Sequence, residues 1–296
     1  MQLKTAQDFD QELLILFDAY VHGTIDRRGF LDRAQKFAVG GVTAAGLLAA
    51  LSPDFARAQV VPKDDKRIQA AMIEYPSTAG NGTMKGYLAK PAGMTGKLPT
   101  VLVIHENRGL NPHIEDITRR LALDNFVAFA PDALTPLGGY PGDEDKAREQ
   151  FAKLDQKKAL EDFVAGANFL KNRPESNGKI GAVGFCYGGG MVHMLSVRMP
   201  ELNAGVPFYG NQPSPADAAK VKAPLLMHFA AVDERINASW PAYEAALKAA
   251  NVPHTAYQYP GTQHGFNNDT TPRFDAAAAK LAWGRTLEFF NKNLRM

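Results

Sequence analysis

Residues 59–296 alternate short runs rich in β-branched and aromatic residues with longer stretches whose apolar residues recur at helical spacing. This alternation is typical of a mostly parallel sheet covered by helices on both faces. The run 100–106 contains four consecutive apolar residues at 101–104, as expected for a central strand buried on both faces. We therefore predict an α/β fold with a central sheet of about eight strands. The predicted strands are 68–75, 84–90, 100–106, 126–131, 179–185, 204–209, 224–229 and 254–259.

Helical patterns occupy the intervals between these strands. In the longest interval the apolar register restarts after Asp155 and Gln156, which indicates two helices rather than one. Ser239 precedes another pattern and is a candidate N-cap. No repeat or Pro/Gly-rich linker divides residues 59–296, so we predict one domain there. The predicted helical regions are 113–124, 143–171, 187–199, 239–250 and 275–293.

The composition excludes several classes of protein. The chain has 296 residues, of which 45% are hydrophobic and 22% charged, as in ordinary globular proteins. Its 33 basic and 31 acidic residues leave a formal charge of +2 without a long run of either sign. We therefore expect no nucleic-acid partner.

The first 58 residues differ in character from the rest. Arg27 and Arg28 precede an apolar stretch at 37–51, and an Ala-x-Ala pattern ends at Ala58. This arrangement resembles a twin-arginine export signal, with an apolar stretch too short for a membrane span. We predict a signal at 1–58 that is cleaved after Ala58, an interaction with the export machinery, and a periplasmic or other extracytoplasmic location. The alternative is a buried helix that belongs to the fold, and a short helix at 9–21 has no evident role.

Cys186, the only cysteine, stands between Gly184 and Gly188 directly after a predicted strand. This spacing is typical of a sharp strand-to-helix turn that presents one nucleophile, because the flanking backbone leaves no room for β-carbons. A small buried thiol is the alternative. In an oxidising compartment a lone cysteine has no disulfide partner in its own chain, which favours a functional thiol.

Three further side chains lie at or just after the ends of predicted strands, at the edge where parallel sheets collect catalytic groups. They are Glu106, Asp233 and His264. The order nucleophile, acid and histidine is that of an α/β-hydrolase triad, with His264 as proton carrier and Asp233 as its orienting partner. The other histidines considered show no metal-ligand spacing, so we expect no metal and no cofactor. These are His105, His113, His193, His228 and His254.

Two segments carry a resemblance to the dienelactone hydrolase (carboxymethylenebutenolidase) family. The segment 105–111 is similar to the family's Gln/His-Glu-x-x-Gly-x-Asn pattern, and 177–189 is similar to its nucleophile turn. The resemblance implies an α/β-hydrolase fold across residues 59–296. It also implies that Glu106 contacts the resting thiol and swings away when substrate binds.

The fold and the resemblance also suggest which groups stabilise the oxyanion and which bind the substrate. The backbone N–H groups of Asn107 and Tyr187 are expected to stabilise the developing oxyanion. By resemblance, Arg148 is the candidate for binding a substrate carboxylate. The family's second carboxylate-binding arginine is replaced here by Asn268, so the substrate itself stays open. Arg108, Arg235 and Arg273 are possible substitutes, although solvated surface charges are the simpler expectation for them.

The sequence therefore predicts a hydrolase for a small lactone, ester or thioester that acts through an acyl-cysteine intermediate. Two alternatives remain at this point: an exported ligand-binding protein on the same fold, and a thiol redox protein that uses Cys186. The sequence does not determine the oligomeric state.

Overall fold

The computed structural model describes residues 4–56 and 58–295. Its centre is one sheet of eight strands, as the sequence predicts. Most strands begin or end within a few residues of the predicted positions, and several are longer because ladder pairing continues into the turns. The strands are β1 (Ile68–Ser77), β2 (Gly82–Pro91), β3 (Leu98–Ile104), β4 (Val127–Pro131), β5 (Ser176–Phe185), β6 (Ala204–Phe208), β7 (Leu225–Val232) and β8 (His254–Gln263).

The spatial order of the strands is β1-β2-β4-β3-β5-β6-β7-β8. β1 and β2 form an antiparallel hairpin whose second strand pairs antiparallel with β4, and all the remaining neighbours are parallel. The carboxyl ends of β3, β5, β7 and β8 therefore lie at one edge of the sheet. This edge receives the residues that follow each of those strands, which are the predicted catalytic residues.

Helices cover both faces of the sheet, and each face has its own apolar core. The predicted break in the long helical interval is confirmed, because one helix ends at Phe151 and the next begins at Gln156. Ser239 precedes a helix but does not cap it, since its hydroxyl donates to Gln212 instead. The helices after β3 are α4 (Pro112–Leu123), α5 (Glu144–Phe151), α6 (Gln156–Lys171), α7 (Tyr187–Arg198), α8 (Glu234–Asn237), α9 (Trp240–Ala249) and α10 (Ala276–Leu294).

Three helices precede the sheet: α1 (Gln11–Val21), α2 (Arg27–Ala34) and α3 (Ala44–Leu51). We call residues 4–52 the N-terminal lobe. The helix predicted at 9–21 is confirmed by α1. The lobe has an apolar core of its own, formed by Leu13, Leu14, Phe17, Tyr20, Phe30, Ala34, Leu47, Leu48 and Leu51.

The two arginines of the predicted signal lie at the start of α2, which Asp26 caps through the backbone N–H of Gly29. Arg27 forms an ion pair of 2.9 Å with Asp145 at the start of α5. Arg57, which belongs to the predicted cleavage motif, lies outside the described residues. Within the part of the chain that the structure describes, no helix has the length and apolar character needed to cross a bilayer. Cleavage after Ala58 and export stay predictions.

Candidate active site

The backbone turns sharply at Cys186, between the end of β5 and the start of α7. Cys186 has φ 55° and ψ −112°, a conformation that is strained for a residue with a β-carbon. A β-carbon on Gly184 would lie 2.2 Å from the carbonyl oxygen of Gly188, and one on Gly188 would lie 2.2 Å from that of Ile104. Both glycines are therefore required by close backbone approach, and the turn lifts the Cys186 side chain above the sheet.

Asp233 and His264 meet at the same edge of the sheet. Asp233 directly follows β7, and His264 directly follows β8. The Nδ1 atom of His264 lies 2.6 Å from Oδ2 of Asp233, and both side chains are buried. The Nε2 atom of His264 is buried without a hydrogen-bond partner. Because Nδ1 bonds to Asp233, Nε2 is the ring nitrogen left for the Cys186 sulfur. One ring nitrogen of His264, one of His22 and the sulfur lie within 4.8 Å of one another.

The electrostatics of the site favour an ion pair between the thiol and the imidazole. Burial alone would raise the pKa of Cys186, but the positive charges of His264 and His22 lower it to about 6. Burial opposes the charged imidazole, yet the negative charges of Cys186 and Asp233 raise the pKa of His264 to about 10. At neutral pH the thiolate and the imidazolium are therefore the stable forms, which is the state that a cysteine nucleophile needs.

Glu106 lies with Cys186 and His264 on the wall of one cavity. Its Oε2 accepts a hydrogen bond of 2.8 Å from the side-chain amide of Asn268. The residue that replaces the family's second arginine therefore binds the glutamate. Arg108 lies 3.7 Å from the carboxylate of Glu144.

The proposed oxyanion donors are placed at the ends of two strands. Asn107 lies in the loop after β3, and Tyr187 is the first residue of α7. In the described chain, neither of their backbone N–H groups donates to a protein acceptor. Both donors are thus free for a ligand, and the N-terminal end of α7 adds its positive dipole beside the sulfur.

His22, at the end of α1, contacts the nucleophile from the N-terminal lobe. Its Nε2 lies 3.3 Å from the Cys186 sulfur, and its ring packs edge-on against that of His264 with centroids 4.8 Å apart. The Nδ1 atom of His22 lies 3.2 Å from a carboxylate oxygen of Asp18. Sequence reasoning missed His22, because it lies in the segment expected to be removed and 164 residues from its partner.

Four arginines near the thiol contact residues 18–22. Arg148 Nη1 donates to the carbonyl oxygen of Tyr20 at 3.1 Å. Both terminal nitrogens of Arg108 donate to the carbonyl oxygen of Val21, each at 3.2 Å. Arg273 lies 3.2 Å from the Asp18 carboxylate, and Arg235 lies 3.1 Å from Nε2 of His22. The expectation of solvated surface charges was wrong for Arg108 and Arg273, which are buried under the lobe, and Arg235 alone is exposed.

The lobe leaves little room above the nucleophile. The cavity that reaches Cys186 encloses about 50 Å³, and Phe17, Tyr20 and Val21 of the lobe form part of its wall. Sites for small organic ligands typically measure about 300–1,000 Å³. A substrate of that size therefore reaches Cys186 only if the lobe moves.

Most of the other histidines have structural partners. His105 Nε2 accepts a hydrogen bond of 3.1 Å from the backbone N–H of Ala133. His228 lies between the hydroxyls of Tyr259 and Thr286, and His113 lies 3.0 Å from Asp269. Tyr209, which follows β6, was not singled out from the sequence, although its ring packs 4.9 Å from that of His264.

The sheet order, the strained turn at Cys186 and the paired Asp233 and His264 define a hydrolase of the α/β-hydrolase fold. The model of the dienelactone hydrolase family matches residues 84–294. The chain therefore belongs to the dienelactone hydrolase family, whose members hydrolyse lactones and esters. A second family model, described as YqhI-like, matches residues 1–39.

Individual relatives agree with this assignment. A protein of Escherichia coli K12 named "Putative carboxymethylenebutenolidase" is 32% identical over 263 residues, which cover 84% of this chain and 95% of that protein. "Putative hydrolase fragment YghX" of the same strain is 51% identical over 114 residues, covering 38% of this chain and 97% of the fragment. A crystal structure titled as a putative dienelactone hydrolase from Klebsiella pneumoniae superposes with a TM-score of 0.69 at 28% identity, covering 76% of this chain and 99% of that chain.

Proposed function

We propose that this enzyme hydrolyses a lactone, ester or thioester with Cys186 as nucleophile, His264 as proton carrier and Asp233 as the group that orients His264. The observation that carries the proposal is the 2.6 Å contact between His264 and Asp233, with the unpartnered Nε2 of His264 facing the sulfur. Acyl transfer requires this pairing of nucleophile, base and orienting carboxylate.

The reaction takes place in two halves. The Cys186 thiolate attacks the carbonyl carbon, and the N–H groups of Asn107 and Tyr187 stabilise the oxyanion that forms. The bond from the carbonyl carbon to oxygen, or to sulfur in a thioester, then breaks, and the proton on Nε2 of His264 passes to the leaving atom. In the second half Nε2 takes a proton from water, the resulting hydroxide attacks the thioester, and the thiolate leaves.

The arginines that contact the lobe favour a substrate that carries a carboxylate. Arg108 and Arg148 bind backbone carbonyl oxygens of the lobe, and Arg273 binds the Asp18 carboxylate. When the lobe moves, these guanidinium groups lose their acceptors beside the reactive sulfur. An anionic substrate would replace those acceptors, with Arg148 as the expected carboxylate ligand.

Glu106 is proposed to control the charge on the nucleophile. Its negative charge on the cavity wall disfavours a second anion nearby and so reduces the fraction of thiolate, the form that peroxide oxidises. A Glu106→Gln variant should therefore lose Cys186 to peroxide faster than the wild type. Unchanged peroxide sensitivity together with unchanged activity would contradict this role.

The decisive experiment is to trap the acyl group. An activated ester is mixed with the enzyme, the reaction is quenched with acid, and the peptide that contains Cys186 is weighed. We expect the acyl mass on Cys186, no turnover by Cys186→Ala, and a loss of about 10²–10⁴-fold in turnover for His264→Ala. His254→Ala is the matched control, because His254 bonds only to the backbone of Val252 in its own turn.

Two results would reject the proposal. Full activity of Cys186→Ala would exclude the nucleophile. Tight retention of one ligand without turnover on a broad panel of esters and lactones would favour a binding protein. Both measurements should be made on the intact chain and on the chain cleaved after Ala58, because the lobe covers the nucleophile in the intact chain.

A further inference from the structure

We propose that His22, Cys186 and His264 form a zinc-binding site that joins the N-terminal lobe to the catalytic domain. One ring nitrogen of each histidine and the Cys186 sulfur lie within 4.8 Å of one another. Imidazole nitrogen and thiolate sulfur are the ligands that zinc prefers in proteins. The site goes beyond ester hydrolysis and does not depend on it, because metal binding requires no turnover.

The outer contacts of both histidines fit metal ligands. The Nδ1 atom of His264 bonds to Asp233, and Nδ1 of His22 lies within reach of the Asp18 carboxylate and 2.8 Å from the Asp18 carbonyl oxygen. Each ring therefore keeps its proton on Nδ1 and can direct the lone pair of Nε2 towards the sulfur. A carboxylate on the second ring nitrogen is the usual support for a zinc-bound histidine.

The inner atoms are also suited to a cation. The Nε2 atom of His264 is buried and makes no hydrogen bond, so it is an unused ligand aimed into the cluster. The sulfur is buried at the start of α7 and lies opposite it. A cation between these atoms would satisfy a buried polar group that is costly to leave unpaired.

The spacing is close to that of a coordinated ion. In a tetrahedral site with zinc–sulfur and zinc–nitrogen bonds of ordinary length, neighbouring ligand atoms lie roughly 3.5 Å apart. The sulfur and Nε2 of His22 are 3.3 Å apart, so this pair already has that spacing. All three ligand atoms lie within 4.8 Å of one another. The more widely separated atoms would therefore have to approach by about 1 Å to coordinate one ion. A fourth position remains for water or another small ligand.

The charges that face the cluster have both signs. Asp18 and Asp233 contact the two rings, and Glu106 shares the cavity wall. Arg235 opposes a cation, because one of its nitrogens lies 3.1 Å from Nε2 of His22. Arg235 is exposed, however, and its other terminal nitrogen donates to Asn211, so its guanidinium can turn into solvent without burying an unpaired charge.

Zinc in this site would silence the nucleophile. Each ligand binds through a lone pair, so the thiol and any Nε2–H proton are released to solvent when zinc binds. The sulfur electrons that would attack a carbonyl carbon are then held in the zinc–sulfur bond. The ion would also tie α1 to the turn at Cys186 and hold the lobe in place.

The test uses the full chain, stripped of metal and titrated first with Co²⁺ and then with Zn²⁺. We expect one Co²⁺ per chain with a thiolate-to-cobalt absorption band, and loss of that band when Zn²⁺ displaces the cobalt. Cys186→Ser should abolish the band. His22→Ala should weaken binding about tenfold or more, and Asp18→Asn about 10–100-fold. His254→Ala, which alters a histidine elsewhere, should bind as the wild type does.

Two outcomes would overturn the proposal: no thiolate band in the wild type, or equal affinity in the wild type and in His22→Ala. Circular dichroism of each variant without metal shows whether the helices persist, so that unfolding is not mistaken for loss of a ligand. Because the readout is a spectrum, a failed zinc titration leaves the test of hydrolysis unaffected. A failed acylation test likewise leaves the zinc titration unaffected.

Discussion

At the scale of single residues, Cys186 depends on two histidines that approach it from opposite ends of the chain. His264 could be identified from the sequence because it follows a strand and completes an ordered set with Cys186 and Asp233. His22 could not, because no local pattern signals a contact that spans 164 residues. A contact of that kind follows from packing of the lobe, which sequence periodicity does not determine.

The charge state of Cys186 gives a prediction about pH. Because its pKa is lowered to about 6, the thiolate fraction should rise as the pH increases through that value. An ordinary cysteine has a pKa of about 8.5 and would react only at higher pH. The rate of alkylation by iodoacetamide can be measured by mass spectrometry from about pH 4 to about pH 10. It should rise at a lower pH than for an ordinary cysteine.

The His264→Gln variant lacks one of the two positive charges, on His264 and His22, that lower the pKa of Cys186. Its alkylation profile should therefore shift to higher pH, with His254→Ala as the unshifted control. A wild-type profile with the midpoint of an ordinary thiol would contradict the ion pair.

Glycines in the turn give a second residue-scale prediction. A β-carbon on Gly188 would clash at 2.2 Å with a backbone oxygen of β3, whereas one on Gly190 would meet its nearest atom at 3.5 Å. Gly188→Ala should therefore be destabilised by several kcal/mol, on the order of the largest single-site effects, and should lose activity. Gly190→Ala should be neutral or stabilised by about 0.5–1 kcal/mol in the helix. Urea denaturation of both variants makes the comparison, and equal stabilities would contradict the close approach.

At the scale of elements, the strands could be predicted well and the lobe only in part. The apolar runs that predicted the central strands β3, β4 and β6 are buried on both faces, so local pattern and tertiary environment agree there. The helix α1 was also predicted, but its role was not, because the catalytic domain surface that it covers is assembled from the ends of distant strands. The predicted export signal and the folded lobe share the same residues, and the pattern alone does not distinguish them.

The lobe gives a prediction about access to the nucleophile. Phe30 is fully buried in the core of the lobe, so Phe30→Ala should destabilise the lobe by about 3–5 kcal/mol. If the lobe opens before reagents reach Cys186, the alkylation rate should rise, by up to about 100-fold. Ile15→Ala is the control, because Ile15 is 58% exposed on α1. Equal alkylation rates in the two variants would mean that the lobe does not limit access.

At the scale of the whole molecule, one α/β domain carries all of the proposed catalytic groups, and the lobe adds His22 and the contacts of residues 17–21 beside the nucleophile. The order of strands and helices along the sequence was enough to predict the sheet and the edge at which the proposed catalytic residues lie. It did not suffice for the substrate, because Asn268 binds Glu106 rather than offering a positive charge. The arginines proposed to bind substrate, Arg108, Arg148 and Arg273, are far apart in the sequence, and the folded chain brings them to the same segment of the lobe.

Export of the protein is a proposal, and cleavage of the signal would lower the mass of the exported chain. The extracytoplasmic form should begin at Gln59, and replacement of Arg27 and Arg28 by lysine should keep the chain inside the cell. Intact-mass measurement of both fractions, with a Lys63→Arg variant as a neutral control, tests this. An extracytoplasmic protein that still carries Met1 would contradict cleavage.

The ion pair between Arg27 and Asp145 sets a competition. Arg27 satisfies one partner at a time, so a receptor that reads the arginine pair must displace a carboxylate of the same molecule. A tethered competitor of this kind acts at an effective concentration in the millimolar range. If residues 1–58 act as the predicted export signal, a weaker ion pair between Arg27 and Asp145 would free the arginine pair more often and so speed export.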